Sequence, residues 1–337
     1  MRRVFIPQNL PSLPAQMPIG EISTVSGHSM GTTWSVRYVN LAFKQHSEDE
    51  VRVLVERELD LVVAQMSTWQ VDSNLSRFNR AEANTWHAIP RPFFAVLDCA
   101  LKLAEDTNGA FDPTIGPLVN LWGFGPEGVN TSPPDADAIK AKHAECGWQK
   151  LVLDDDRMRV LQPGGVYVDF SGIAKGYSVD RIAQALEAAG IQQFLVEVGG
   201  ELYGAGIKPD GLPWWVALET PPDSASIITS VVAMHGVAIA TSGNYRRYFE
   251  HRDRRYAHTI DPRTGYPVDL ATNALVSVTV LHAKCMLADA LATAFTVMGT
   301  EAALAYAEQN NIAVLLIEQK SDGFEEHASS PWMAMLQ

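Results

Sequence analysis

Four short stretches of this sequence carry side chains with chemistry to offer. The first is Asp169-Phe170-Ser171-Gly172-Ile173-Ala174-Lys175-Gly176, read as a strand end running into a helix start. Such a junction leaves backbone N–H groups free at the positive end of a helix, which suits a phosphate. Lys175 adds a point charge for the same anion, and Asp169 offers an acceptor to a sugar or ring edge. The same residues make an equally good plain helix start, with Ser171 as N-cap and Lys175 on the surface. The second is Thr241-Ser242-Gly243-Asn244-Tyr245, two hydroxyls and a glycine directly after an apolar run. Turns of this kind present N–H and O–H groups to a ligand, although a plain turn is their commoner use.

The third stretch is His258-Thr259-Ile260-Asp261-Pro262-Arg263-Thr264-Gly265-Tyr266-Pro267. Asp-Pro and Thr-Gly mark a tight, rigid loop. Held that firmly, His258 is placed to act as a general base toward an attacking hydroxyl; taken alone, a single histidine is more often a structural imidazole. In the fourth, Asp289 and Thr293 stand four apart in an Ala-rich helix and so share one face. Both offer the oxygen ligands that Mg²⁺ prefers. The alternative is that Asp289 caps the helix and Thr293 bonds back to a carbonyl.

The elements that must position these groups follow from periodicity. Trp34, Val36 and Tyr38 alternate with Ser35 and Arg37, which predicts a strand over 33–40. Val51, Val55, Leu59, Val62 and Met66 predict an amphipathic helix ending near Ser67. Phe94, Leu97, Leu101 and Ala104 line a second helix over 92–107, with Asn108-Gly109 as its C-cap. Residues 112–135 read as a long structured loop, of the kind that carries function in compact domains. A hairpin is expected over 151–161, strands at 166–170 and 194–198, and between them a helix over 176–189 stopped by Gly190. Further strands are expected at 214–219, 230–234, 237–240, 276–281 and 312–317, and helices at 286–298 and 301–308. Strands and helices mix without regular βαβ alternation, so the class is α+β, with mixed sheets and flanking helices.

The 337 residues, 47% of them hydrophobic, suffice for a large core and for two or three domains or one interleaved unit. A net charge of −13 argues against nucleic acid as the main partner. The one basic cluster, Arg246, Arg247, Arg252, Arg254 and Arg255, is local and reads first as a solvated face. Cys99, Cys146 and Cys285 form no CxxC, so neither a zinc ribbon nor a dithiol site is indicated. Residues 1–20, with Pro7, Pro11 and Pro14, are expected to be a flexible arm. Prolines interrupt any signal-like apolar region behind Arg2 and Arg3, and no window reaches the length of a membrane span. The expectation is a cytoplasmic protein as written, or a periplasmic one if a leader has been removed.

Taken together, the stretches resemble the FAD:protein FMN transferase (ApbE) family in order and content. Met30-Gly31-Thr32, Met66-Ser67-Thr68-Trp69 with Asp72-Ser73, and Gly109-Ala110-Phe111-Asp112-Pro113-Thr114 with Gly116-Pro117-Leu118 match its motifs. So do Asp169 to Gly176, Val198-Gly199-Gly200, His258 to Gly265, and Asp289 to Thr293. The resemblance implies an ApbE-like, T-fold-like architecture, in which residues 21–337 form a single catalytic unit or two interleaved α+β subdomains with the site between them. It implies that Met30, Trp69, Ala110, Phe111, Asp112, Asp169, Lys175 and Ile260 line an FAD site, which Ser242 and Gly243 of the second stretch would join. The Gly172 carbonyl, Asp289 and Thr293 would hold Mg²⁺, and His258 and Asp289 would be catalytic. The implied reaction moves FMN from FAD to a Thr or Ser of an acceptor protein carrying D-x-x-[ST]-G-A-[ST], releasing AMP. The same residues also suit an FAD pyrophosphatase or a non-catalytic flavin carrier. Many members of the family are lipoproteins anchored through an N-terminal cysteine; here the first cysteine is Cys99.

Overall fold

The computed structural model describes residues 3–8, 11, 16–43, 45–221, 229–244, 247–252, 254–269, 273–321 and 323–337. Its centre is an eight-stranded antiparallel sheet. In order across the sheet the strands are Gly323–Ala328, Ala313–Lys320, Leu275–His282, Val237–Gly243, Glu201–Ala205, Phe194–Val198, Thr32–Leu41 and Gly20–Ser29. The predicted alternation holds in Thr32–Leu41, where Trp34, Val36 and Tyr38 are buried while Thr33 and Arg37 face out. Its neighbour Gly20–Ser29 escaped the periodicity reading because it is a polar edge strand with one buried residue, Val25.

Each face of the sheet has its own cover. On one face lie the helices Ala174–Ala189 and Cys285–Met298, with Glu48–Met66 and Arg91–Asp106 packed outside them. Val36, Val196, Val278 and Val280 of the sheet meet Ile182, Leu186, Leu291 and Phe295 of the helices there. On the other face Val39, Leu195, Ile239, Leu281 and Leu315 meet Trp214, Met234, Trp332 and Phe5. The two sheet-covering helices approach each other at Gly176. A Cβ there would lie 2.3 Å from the Cys285 carbonyl oxygen and 2.8 Å from the Asp289 Cβ, so this crossing tolerates only glycine.

Four expectations change. Residues 166–170 join no sheet. Val168 instead exchanges two bonds with the Asn79 side-chain amide, at 2.8 Å each, and the Asp169 N–H donates to the Pro113 carbonyl. An apolar run with side-chain and loop partners for its backbone has no need of a ladder. The turn expected after Ala240 is instead strand, since Val237–Gly243 pairs Thr241, Ser242 and Gly243 with Thr279, Val278 and Ser277. The Thr241 and Thr279 hydroxyls bond each other across the ladder at 2.9 Å, a cross-strand use of polar side chains that looks like a turn in sequence; Tyr245 lies outside the described residues. Within 112–135 the chain forms a helix, Gly116–Leu121, and a further helix, Ala136–Glu145, starts at an Asp135 cap. The N-terminal arm is tied down over its described part. Arg3–Phe5 pairs in parallel with Ser230–Met234, and Phe5, 1% exposed, packs on Trp332 with ring centroids 5.3 Å apart.

Cys99, Cys146 and Cys285 are free thiols, and burial pushes Cys99 up to about 11 and Cys146 up to about 12. Among the described residues no helix is long and apolar enough to cross a membrane. Phe5→Ala is expected to lower unfolding free energy by about 3 kcal/mol, the usual loss for a buried phenyl ring. Urea denaturation checks it; an unchanged midpoint would mean that the arm adds nothing to the fold.

Candidate functional site

The site is built where the loop before the Ala174–Ala189 helix meets the first turns of Cys285–Met298. The Asp169 carboxylate accepts from the Ser171 N–H at 2.6 Å, and the Ala174 N–H donates to the Phe170 carbonyl, so the helix starts at Ala174 without a Ser171 cap. One of its free N–H groups, that of Gly176, donates to Asp289 Oδ2 at 2.9 Å. Asp289 therefore ties its own helix to the start of the neighbouring one and caps nothing on its own. That capping falls to Asp180, which accepts from the Cys285 and Met286 N–H groups at 2.8 and 3.0 Å. Sequence reasoning missed Asp180. The available signal was the absence of a capping side chain in His282-Ala283-Lys284, directly before an apolar helix.

Lys175 was expected to face an anion. Here its ammonium lies 2.9 Å from Glu201 Oε1 and 3.4 Å from Asp289 Oδ1. The Glu201 and Asp289 side chains are 4% and 7% exposed, whereas Lys175 keeps 30% and so forms part of the wall open to solvent. Burial alone would lower the Lys175 pKa, but the charges of Asp289 and Glu201 and their hydrogen bonds outweigh it and hold it up. Glu201 is pushed up by burial against the opposing pull of Lys175. Glu201, too, was missed, although an acidic residue directly after Gly199-Gly200 at the start of a largely apolar strand was there to be noticed. The turn needs its glycine: Gly199 has φ +64°, and a Cβ there would press on Thr32 at 2.9 Å and on the Lys175 stem at 3.4 Å.

Gly172 lies against Thr293. A Cβ on Gly172 would sit 3.0 Å from Thr293 Oγ1 and 3.3 Å from the Phe111 ring, and Thr293 lies one turn beyond Asp289. The Gly172 carbonyl, the Asp289 carboxylate and the Thr293 hydroxyl would make a donor set of hard oxygens with no thiol or imidazole, which would suit Mg²⁺ far better than zinc. His258 lies close enough to Lys175 to feel its charge. Its Nδ1 is 3.0 Å from the Arg247 carbonyl oxygen. A carbonyl can only accept, so Nδ1 carries the proton and Nε2 keeps a free lone pair. Burial lowers the His258 pKa, and the charges of Arg247 and Lys175 lower it further. In the loop after His258 the Asp261 carboxylate accepts from the Arg263 N–H, Nε and Nη2, each at 2.9 Å.

The remaining expected residues fall on several different elements. Phe111 and Ile260 are buried, the latter beside Trp122 and Phe124. Ala110 is buried against Val268 and Val297. The Asp112 carboxylate is consumed within its own loop, accepting from the Thr114 N–H and hydroxyl and from the Trp148 N–H, and burial raises its pKa. Burial likewise raises Asp169. Met30 has φ +50° in the tight turn between Gly20–Ser29 and Thr32–Leu41 and packs against both helix-side clusters. Trp69 is 64% exposed, on a turn whose Trp69 and Gln70 N–H groups are held by Ser67 Oγ. In the basic cluster Arg254 pairs with Asp269, Arg255 with Glu250, and Arg247 donates to the Phe124 carbonyl; Arg246 lies outside the described residues.

Fold and site together define an α+β protein with an oxygen-donor cluster at a helix crossing. The chain belongs to the ApbE family, which it matches over residues 30–316. It is 42% identical over 312 residues to the FAD:protein FMN transferase of Vibrio cholerae, covering 93% of this chain and 92% of that protein. The FAD:protein FMN transferase of Haemophilus influenzae is 39% identical, with 95% and 93% covered. The crystal structure of the Pseudomonas stutzeri flavinyl transferase ApbE in its apo form superposes with a TM-score of 0.86 at 36% identity, covering 94% of this chain and 96% of that one.

Asp180→Ala leaves two helix N–H groups without acceptors beneath Asp289. The expected loss is about 1–2 kcal/mol, as for other caps, measured by urea denaturation. A variant as stable as the parent would show that water replaces the carboxylate at no penalty.

Proposed function

We propose that this chain transfers FMN from FAD to a Thr or Ser hydroxyl of an acceptor protein, forming a phosphoester and releasing AMP. The observation that carries the reading is the contact of Gly172 with Thr293, one turn beyond the Asp289 that pairs with Lys175, with His258 and its free Nε2 within electrostatic reach of that lysine. The transferase names of its close relatives agree with it. Met30, Trp69, Phe111, Asp169, Lys175 and Ile260 would line the FAD site. Ala110 and Asp112 would contribute through their backbone, since the Asp112 carboxylate is already spent. The exposed Trp69 ring offers a flat face for stacking on a heterocycle. We take residues 21–337 as one catalytic unit, because the central sheet draws strands from the whole of that length.

The residues divide the work. Bound by the Gly172 carbonyl, Asp289 and Thr293, Mg²⁺ would neutralise charge that grows on the pyrophosphate as AMP leaves. Lys175 adds a cation on the open wall and limits where the phosphates can sit. His258 Nε2 takes the proton from the acceptor hydroxyl, whose oxygen bonds to the FMN phosphorus while the bond to the bridging oxygen of AMP breaks. A depressed pKa keeps that nitrogen unprotonated at neutral pH.

Three outcomes are expected. Asp289→Ala should fold and lose metal-dependent turnover; an active variant would remove it from the cation site. His258→Ala should bind FAD and turn over about 10²–10⁴-fold more slowly, whereas loss of FAD binding would make the imidazole structural. The acidic limb of kcat in the parent should lie below about 6.5, the value for a free histidine, and should be absent in His258→Ala; an unchanged limb would exclude His258 as the base. Chromatography of nucleotides after incubation with FAD and Mg²⁺ tests the reaction class. AMP formation that requires an acceptor protein supports transfer, free FMN and AMP without one support a pyrophosphatase, and unchanged FAD throughout supports a carrier.

A further inference from the structure

We propose that Glu201 is a positioning residue that takes up the positive charge of Lys175, so that Asp289 keeps the negative charge a divalent cation requires. The inference rests on the reading of Asp289 as a cation ligand and extends it to a residue outside the donor set. Two carboxylates and one ammonium meet here, Lys175 Nζ lying 2.9 Å from Glu201 and 3.4 Å from Asp289. With all three groups ionised, the group carries one net negative charge. The shorter contact goes to Glu201, the more deeply buried of the two acids. Its second oxygen, Oε2, is buried and accepts no hydrogen bond. An acceptor for Lys175 alone would need only Oε1, which an amide oxygen would also supply, its NH₂ then being the unbonded group in place of Oε2. What a glutamate adds at this point is charge. Were Glu201 neutral, Lys175 and Asp289 would form a balanced pair, and an arriving cation would compete with an ammonium for the same carboxylate. Between the two buried carboxylates and the ammonium the charges are only partly screened by solvent.

The backbone fixes the arrangement. Glu201 directly follows the Gly199-Gly200 turn, and Gly199 packs on the Lys175 stem, so the hairpin that carries the carboxylate also shapes the path of the lysine. Lys175 in turn follows Ala174, at the helix start that Asp289 closes through the Gly176 N–H.

The test measures binding of Mn²⁺ alone to the full chain, without FAD, by electron paramagnetic resonance of the free ion. Four proteins are compared: the parent, Asp289→Asn, Glu201→Gln and the double variant Lys175→Met/Glu201→Gln, each checked for folding by near-UV circular dichroism. The parent should bind and Asp289→Asn should not. Glu201→Gln should bind at least about tenfold more weakly, and the double variant, which restores one net negative charge, should return to within about threefold of the parent. Should Glu201→Gln fail to fold, the double variant decides: parent-like affinity supports the proposal, and a folded double variant that does not bind contradicts it. Glu201→Gln binding like the parent while Asp289→Asn has lost binding would overturn the charge role and leave the cation site standing. A double variant as weak as Glu201→Gln would overturn it too, by showing that Glu201 acts through shape. No Mn²⁺ affinity in the parent, or full affinity in Asp289→Asn, would contradict the cation reading and this proposal together.

Discussion

The hydrogen bond from the Gly176 N–H to Asp289 is the contact on which the candidate site depends. It joins two helices that leave and re-enter the chain more than a hundred residues apart, and it forms only because Gly176 has no side chain to hold Cys285 and Asp289 away. A buried carboxylate that accepts from a backbone N–H at a helix start is electrostatically well placed. Its orientation then brings the second oxygen to Lys175 and sets Thr293, one turn on, against Gly172. The antiparallel sheet beneath supplies the rigid base, since both helices rest on its central strands.

Around that contact the site keeps two kinds of charge apart. Acidic oxygens gather at the crossing, where Lys175 is their nearest cation. The imidazole of His258 stands near cationic groups, and both they and burial favour its neutral form. The proposed cation ligands and a neutral base near Lys175 would suit phosphoryl transfer to a hydroxyl, which asks of a protein little covalent chemistry and much positioning. The His258 loop, closed by Asp261 and Arg263, serves the same end.

Much of the fold was legible in the sequence where one face is apolar and the other polar. Thr32–Leu41 and Glu48–Met66 show their periods plainly. Gly20–Ser29 does not, because an edge strand buries too little to impose alternation. Thr241 to Gly243 read as a turn because hydroxyls and glycine favour turns, whereas here the sheet itself satisfies the hydroxyl of Thr241. Residues of the site were legible mainly as ordered motifs, and their separate chemistry left each one open. Asp180 and Glu201 escaped because their partners lie far along the chain: Asp180 serves a helix that starts at Cys285, and Glu201 serves a lysine in another element. Periodicity reports which face is buried and says nothing about which distant N–H or ammonium a buried acid will meet.

Mass spectrometry of an acceptor protein bearing D-x-x-[ST]-G-A-[ST], after incubation with this protein, FAD and Mg²⁺, tests the account most directly. The account predicts a covalent gain of one FMN on the last hydroxyl residue of the motif, abolished by EDTA and by Asp289→Ala. An acceptor of unchanged mass, with FMN and AMP accumulating in solution, would contradict it and make water the substrate that the site activates.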